Sequence, residues 1–146
     1  MGDLARVAAV TAAVLAEYGD ALDEVFAVDF RRGARLDTGA VVSLQMRARP
    51  SWEQDVLQLA RVALALGMGH VELRPIGGYV RMVAVDEVST SVGTARVEVW
   101  DHLTGEAVGR AAAVLGVALC PDTGAVELPA AEVAARVADL VVGAVA

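Results

Sequence analysis

VEVWDHLTGEAVGRAAAVLGVAL, Val97 to Leu119, is the stretch whose reading decides the fold. Its first third alternates strictly, with Val97 and Val99 on one side and Glu98 and Trp100 on the other, which is a strand. Beyond Asp101 two readings are open. In one, HLTG is a four-residue hairpin loop and Glu106 to Val117 returns as a second strand. In the other, Thr104 caps an alanine-rich helix supported by the i, i+4 pair Glu106 and Arg110. Inside a helix Gly109 and Gly116 would each cost about 1 kcal/mol relative to alanine, and Val108, Val114 and Val117 lean toward strand. The strand is preferred and the helix kept beside it. The helix has one further attraction, a loose internal echo. VVSLQ, a helix and ALGMGHVEL would then be matched by VEVWD, a helix and VLGVALCPDTGAVEL.

Upstream of this stretch the alternation continues. TARVEVWD places Ala95, Val97 and Val99 together and Thr94, Arg96, Glu98 and Trp100 opposite them. Before it, HVELRPI and YVRMVAVDEV are two further strands around a turn at Gly77-Gly78. The run SWEQDVLQLARVALALG opens with Ser51 and Gln54 in capping-box spacing after Pro50, so a helix starts there. Its polar stripe is thin, Gln54, Gln58 and Arg61, so it is buried on most sides. VFAVDF and AVVSLQMRA form a hairpin through RRGARLDTG. At the N-terminus, Leu4, Val7, Ala8, Thr11, Val14, Leu15 and Tyr18 recur at helical spacing. At the other end, after the P-D-T-G turn at residues 121–124, Pro129 opens a helix whose Val133, Val137, Leu140 and Val141 share a face, with Glu132 and Arg136 paired on the surface.

The chain has 146 residues, enough for one domain spanning 1–146 with a real core. Hydrophobic residues make up 56% and aromatics 4%, so that core must be valine, leucine and alanine. Every basic residue is arginine, and lysine and asparagine are absent, the mark of a GC-rich and by expectation bacterial genome. A net charge of -7 argues against nucleic acid or an anionic membrane as partner. With one cysteine no intrachain disulfide forms, and Cys120 beside Pro121 reads as a small apolar residue. No Cys/His group has metal-ligand spacing, and no metal or cofactor is expected. The N-terminus lacks a signal peptide's pattern and no stretch has a membrane span's length, so a cytoplasmic protein is expected.

Under the strand reading the order is helix, hairpin, long buried helix, four consecutive antiparallel strands and a C-terminal helix. YVRMVAVDEVSTSVGTARVEVWDHLTGEAVGRA resembles the strand-Gly-strand-TGE-strand run of hotdog-fold thioesterases. GVALCPDTGAVELPAAEVAARVADL resembles their last strand and tail, and VFAVDFRRGARLDTGAVVSLQMRARP the opening hairpin of the phenylacetic-acid-type branch. The resemblance implies an α+β fold, a hotdog-like antiparallel sheet wrapped around a long buried central helix with N- and C-terminal helices. It also implies action on acyl-CoA or acyl-carrier thioesters and a homodimer or higher oligomer. Two patterns of that superfamily are missing: the His-Gly-Gly loop before the central helix, and the Asp-x-Asp-x-x-Gly-His run of the hydroxybenzoyl-CoA branch.

Thioester hydrolysis needs a carboxylate to activate water or attack the carbonyl, and donors to polarise the carbonyl oxygen. The resemblance places the donors at the backbone N–H groups opening the buried helix. The candidate carboxylates are then Asp55 and Glu53, in that helix's first turn. Asp55 is favoured because Leu59, Val62 and Leu66 flank it on the wheel, and apolar neighbours raise a carboxyl's pKa. Acids in a first helical turn also complement the helix dipole with no catalytic role. His70 and Arg74 are candidate substrate-binding residues. Arg31, Arg32, Arg35 and Arg74 suit coenzyme A phosphates. His102 is expected solvated in the hairpin loop, Trp52 against the sheet, and Trp100 outward at an interface between subunits. The alternative is a non-catalytic α+β binding or assembly module built from two strand-helix-hairpin units.

Overall fold

A computed structural model describes residues 3–32 and 40–145. The amphipathic start is helix α1 (Asp3–Glu17), which buries Val7, Val10, Thr11 and Val14. Strands β1 (Val25–Arg32) and β2 (Ala40–Met46) pair antiparallel, as expected of the opening hairpin. The turn between them, with Arg35, lies outside the described residues. Helix α2 (Trp52–Ala65) begins where the Gln54 backbone N–H donates to Ser51 Oγ at 3.3 Å, the cap read from S-x-x-Q. It buries Val56, Leu57, Leu59, Ala60, Val62 and Ala63. Strands β3 (His70–Ile76), β4 (Tyr79–Ser89) and β5 (Thr94–Thr104) come next as an antiparallel meander.

The deciding stretch corrects the preferred reading. Glu106 to Leu115 is helix α3, not a strand, so four consecutive antiparallel strands are not formed. HLTG is no hairpin loop either, because β5 runs through Thr104. The two glycines at the helix boundaries explain the outcome. Gly105 turns the chain out of β5 at φ 60, and Gly116 takes the left-handed conformation at φ 68, the usual end of a helix. Gly116 is therefore a cap, not an interior cost. The Val117 N–H reaches Ala112 O at 3.0 Å, and Arg136 Nη1 donates to Leu115 O at 3.0 Å. Ala111 and Leu115, one turn apart, supply the buried face. The chain closes with β6 (Val126–Pro129) and α4 (Ala130–Val145), in which Val133 and Val137 are buried and Glu132 meets Arg136 at 2.7 Å.

The six strands make one sheet in the order β1-β2-β5-β4-β3-β6, all neighbours antiparallel except β2 and β5. The fold is α+β, with a six-stranded sheet and four helices among the described residues. The order hairpin, helix, strand occurs twice, as β1-β2-α2-β3 and β4-β5-α3-β6, which is the echo heard in the sequence. Alternation gives the sheet two unlike faces. Val42, Leu44, Val71, Leu73, Met82, Ala84, Val97 and Val99 point to one and join the helices in a single core. The opposite face carries Ser43, Glu72, Arg74, Tyr79, Arg81, Arg96, Glu98, Trp100 and His102. No helix among the described residues is long and apolar enough to cross a membrane.

Candidate functional site

Two places concentrate chemistry, one on each side of the sheet. The first lies at the N-terminal end of α2. Asp55 accepts the Arg49 backbone N–H at 2.7 Å, a bond that closes the turn between β2 and the helix. Partial burial pushes the Asp55 carboxyl above the usual carboxylate range, opposed by that hydrogen bond and by the Arg49 charge. Facing it from β5 is Asp101. The alternation Ala95, Val97, Val99, Asp101, Leu103 puts this acid on the helix-covered face, in register with Met82 of β4. Burial raises its pKa to about 6, against a hydrogen bond from the His102 N–H, and the negative charge of Asp55 adds to the rise. Asp101 Oδ2 and the indole Nε1 of Trp52, the first residue of α2, are both buried without a hydrogen-bond partner.

Beside this end of α2 a cleft of about 600 Å³ is lined by Ser51, Trp52, Glu53, Ala107, Arg110 and Val141. Glu53 therefore reaches a cavity, whereas Asp55 is not among its lining residues. The remaining expected site residues lie elsewhere. His70 and Arg74 belong to β3 and project from the opposite face. His70 Nδ1 is 3.7 Å from Glu127 Oε1, and Arg74 pairs with Glu72 at 2.9 Å, toward solvent. The sheet thus stands between the two carboxylates of α2 and the two residues expected to bind substrate with them. Arg31 is exposed on β1. Cys120, read as a small apolar residue, is exposed at the start of a short 3-10 turn. Among the described residues no group of His, Cys, Asp and Glu has the arrangement to hold a metal ion.

The second place is the open face of the sheet, at its centre. Trp100 donates its indole N–H to Ser43 Oγ at 3.0 Å, and Ser43 Oγ donates to Glu98 Oε1 at 3.4 Å. Glu98 accepts from Arg81 Nη2 at 2.6 Å, and the Arg81 guanidinium lies 5.6 Å from the Trp100 ring centroid. Four side chains from three adjacent strands so close a ring of contacts. His102 extends it, 5.0 Å from Trp100 and 4.8 Å from Tyr79, ring to ring. Partial burial, with the Arg81 charge beside it, holds the His102 pKa below its ordinary value. His102 is exposed, as expected, but it lies on β5 and not in a loop, in the middle of an aromatic row on two strands.

Sequence reasoning assigned Trp100 to the outer face and so to this place. It missed Asp101, although the signal was there: a strand with Val97 and Val99 inward puts its next odd-numbered residue inward too. It missed the row because Tyr79, Arg81 and His102 become neighbours only through the β4 to β5 register. No protein-family model, curated protein or solved structure matches this chain, so the reading of either place rests on its own geometry.

Proposed function

We propose that the protein is a non-catalytic α+β binding or assembly module that docks a protein segment on the open face of its sheet. The observation that carries this reading is the row Tyr79, His102 and Trp100 with Arg81 across β4 and β5. Tyrosine, tryptophan and arginine are the side chains that dominate contact energy between proteins. Two of the arginines there are already paired, Arg81 with Glu98 and Arg74 with Glu72. The face therefore exerts little pull on a polyanion, and rings and aliphatic groups, including half-exposed Val85 and Ile76, are what it offers a partner. The ring of contacts around Trp100 fixes the platform before binding and so lowers the ordering cost.

A second reading keeps the hotdog-thioesterase resemblance and with it an acyl-CoA or acyl-carrier thioester as ligand. One observation favours it: Asp55 and Asp101, both with raised pKa, adjoin the N-terminus of α2 near a cleft into which Glu53 projects. In that reading a carboxylate would serve as the base and the first N–H groups of α2 as donors to the carbonyl oxygen.

One set of proteins separates the two. Wild type, Asp55→Ala, Glu53→Ala and Tyr79→Ala/His102→Ala, each carrying Cys120→Ala to remove the exposed thiol, are assayed for thiol release from short, long and aromatic acyl-CoA. The same proteins, tagged, are cross-linked in native extract through a photoreactive group at Arg96. The docking reading expects no turnover and a discrete adduct that disappears only in the Tyr79/His102 variant. Turnover abolished by Asp55→Ala would overturn it and establish the hydrolase.

A further inference from the structure

The two edges of the sheet are treated very differently. At one end β6 has four residues and finishes at Pro129, which has no N–H to offer a further strand. That edge is closed to pairing. At the other end β1 has eight residues, and no strand among those described pairs with its outer edge. Its single irregularity, between Val25 and Ala27, lies at the start; from Ala27 to Arg32 the pairing with β2 is regular. It also carries Phe26, 70% exposed, and Val28 and Phe30, each 40% exposed. Val28 and Phe30 sit opposite Leu44 and Val42, so they belong to the apolar, helix-covered side of the sheet, left partly uncovered where the helices stop. A long, regular edge with three exposed apolar side chains is the kind that natural proteins avoid or use.

We propose that β1 pairs antiparallel with β1 of a second copy of this chain, about a twofold axis at Phe30. Register selects that axis. A twofold axis perpendicular to the sheet keeps the faces aligned, so it must pass through a residue and not between two. Through Asp29 or Arg31 it would set like charges directly opposite each other. Through Val28 it would face Asp29 with Ala27. Through Phe30 it sets Asp29 of each protomer against Arg31 of its partner on the open face, and the two Phe30 rings against each other on the apolar face. Opposite charges in directly opposed positions stabilise a strand pair, and like charges destabilise it. Asp29 and Arg31 are both exposed and both on the open face, opposite Ser43 and Val41. The edge thus carries its own complement, as an isologous interface requires. This surface is distinct from the aromatic row, and the pairing joins two six-stranded sheets into one continuous sheet.

The test is charge reversal combined with a measurement of association. Sedimentation equilibrium over about 1 to 200 µM is run on wild type, Asp29→Arg, Arg31→Asp and the double swap Asp29→Arg/Arg31→Asp. Far-UV circular dichroism checks that each is folded. Wild type is expected to be a dimer, each single variant to dissociate with Kd raised about tenfold or more, and the double swap to return to within about threefold of wild type. Because the swap recovers the pairing without restoring either residue, loss of folding in one single variant leaves the test intact. A wild type that stays monomeric throughout this range overturns the proposal. So does a dimer indifferent to all three variants, and so does one lost with Trp100→Ala instead, which would move the interface to the open face.

Discussion

Asp101 is half-buried with one carboxylate oxygen unpaired, and this makes its contribution to stability depend on pH. Its folded pKa of about 6 stands above the ordinary 3.8 of an unfolded chain, so between these values the folded state holds a proton that the unfolded state has released. Stability from this group is therefore complete at low pH and is lost as pH rises through about 6. The shift sets an upper limit of about 3 kcal/mol. Because the side chain keeps some contact with water, a loss nearer about 1 to 2 kcal/mol is expected. Urea unfolding at pH 5 and pH 7.5 spans the upper part of this loss, about 1 kcal/mol or less, and Asp101→Asn, which removes the charge, should lose most of that difference. Asp55, whose pKa is also raised, acts in the same direction, and His102, whose pKa is lowered, acts against both. A variant as pH-dependent as wild type would show that Asp101 is better solvated than its burial implies. This residue was legible in principle, since strand alternation alone sends it inward. It went unread because the loop assigned to HLTG made it the last residue of its strand, where alternation carries little weight.

Among the elements, α3 is where local signals were evenly matched. Valines and two glycines favoured a strand, but Gly116 serves as the helix end and Arg136, 21 positions beyond Leu115, reinforces it. Its guanidinium satisfies the Leu115 carbonyl and also meets Glu132. Nothing within Glu106 to Leu115 announces that partner. Gly116→Ala must hold a side chain at φ 68, with a Cβ 3.2 Å from Arg136 Nη1, and should cost about 1 to 2 kcal/mol. Arg136→Ala, which uncovers the last carbonyls, should cost about 1 kcal/mol. The two share one helix end, so the double variant should lose less than the sum in chemical denaturation. Full additivity would mean that Arg136 does not act as the cap. In contrast, α1, α2 and α4 were readable from sequence because each has a wide apolar face or a capping residue of its own.

For the molecule as a whole, five of the six strands were legible, but β6 and the order of the sheet were not. Alternation identified β3, β4 and β5, and the hairpin pattern identified β1 and β2. No local feature marks β2 as the neighbour of β5, since that contact is made by two strands far apart in sequence. The aromatic row was hidden by the β4 to β5 register that assembles it, and only its anchor, Ser43 on β2, lies across the distant seam. Hydrogen exchange should read the sheet from the centre outward. Amides of β5, bonded on both sides by β2 and β4, should exchange slowest, and those of four-residue β6 at the edge fastest. If β6 proved as protected as β5, the assigned edge would not be an edge.

The parallel seam between β2 and β5 also bears on how the chain comes together. Ala40 meets Ala95 and Gln45 meets Trp100, a constant offset of 55 positions, whereas β1 with β2, β3 with β4 and β4 with β5 each join strands consecutive in the chain. On the ribosome the first hairpin and α1 emerge with their inner edge open, and the strand that must fill it is not yet made. Until β5 arrives, Val42 and Leu44 have no sheet neighbour on that side. Joining two preformed halves across so long a closure is slow relative to hairpin formation. The waiting N-terminal half, with its bare strand edge, is the species a chaperone would meet.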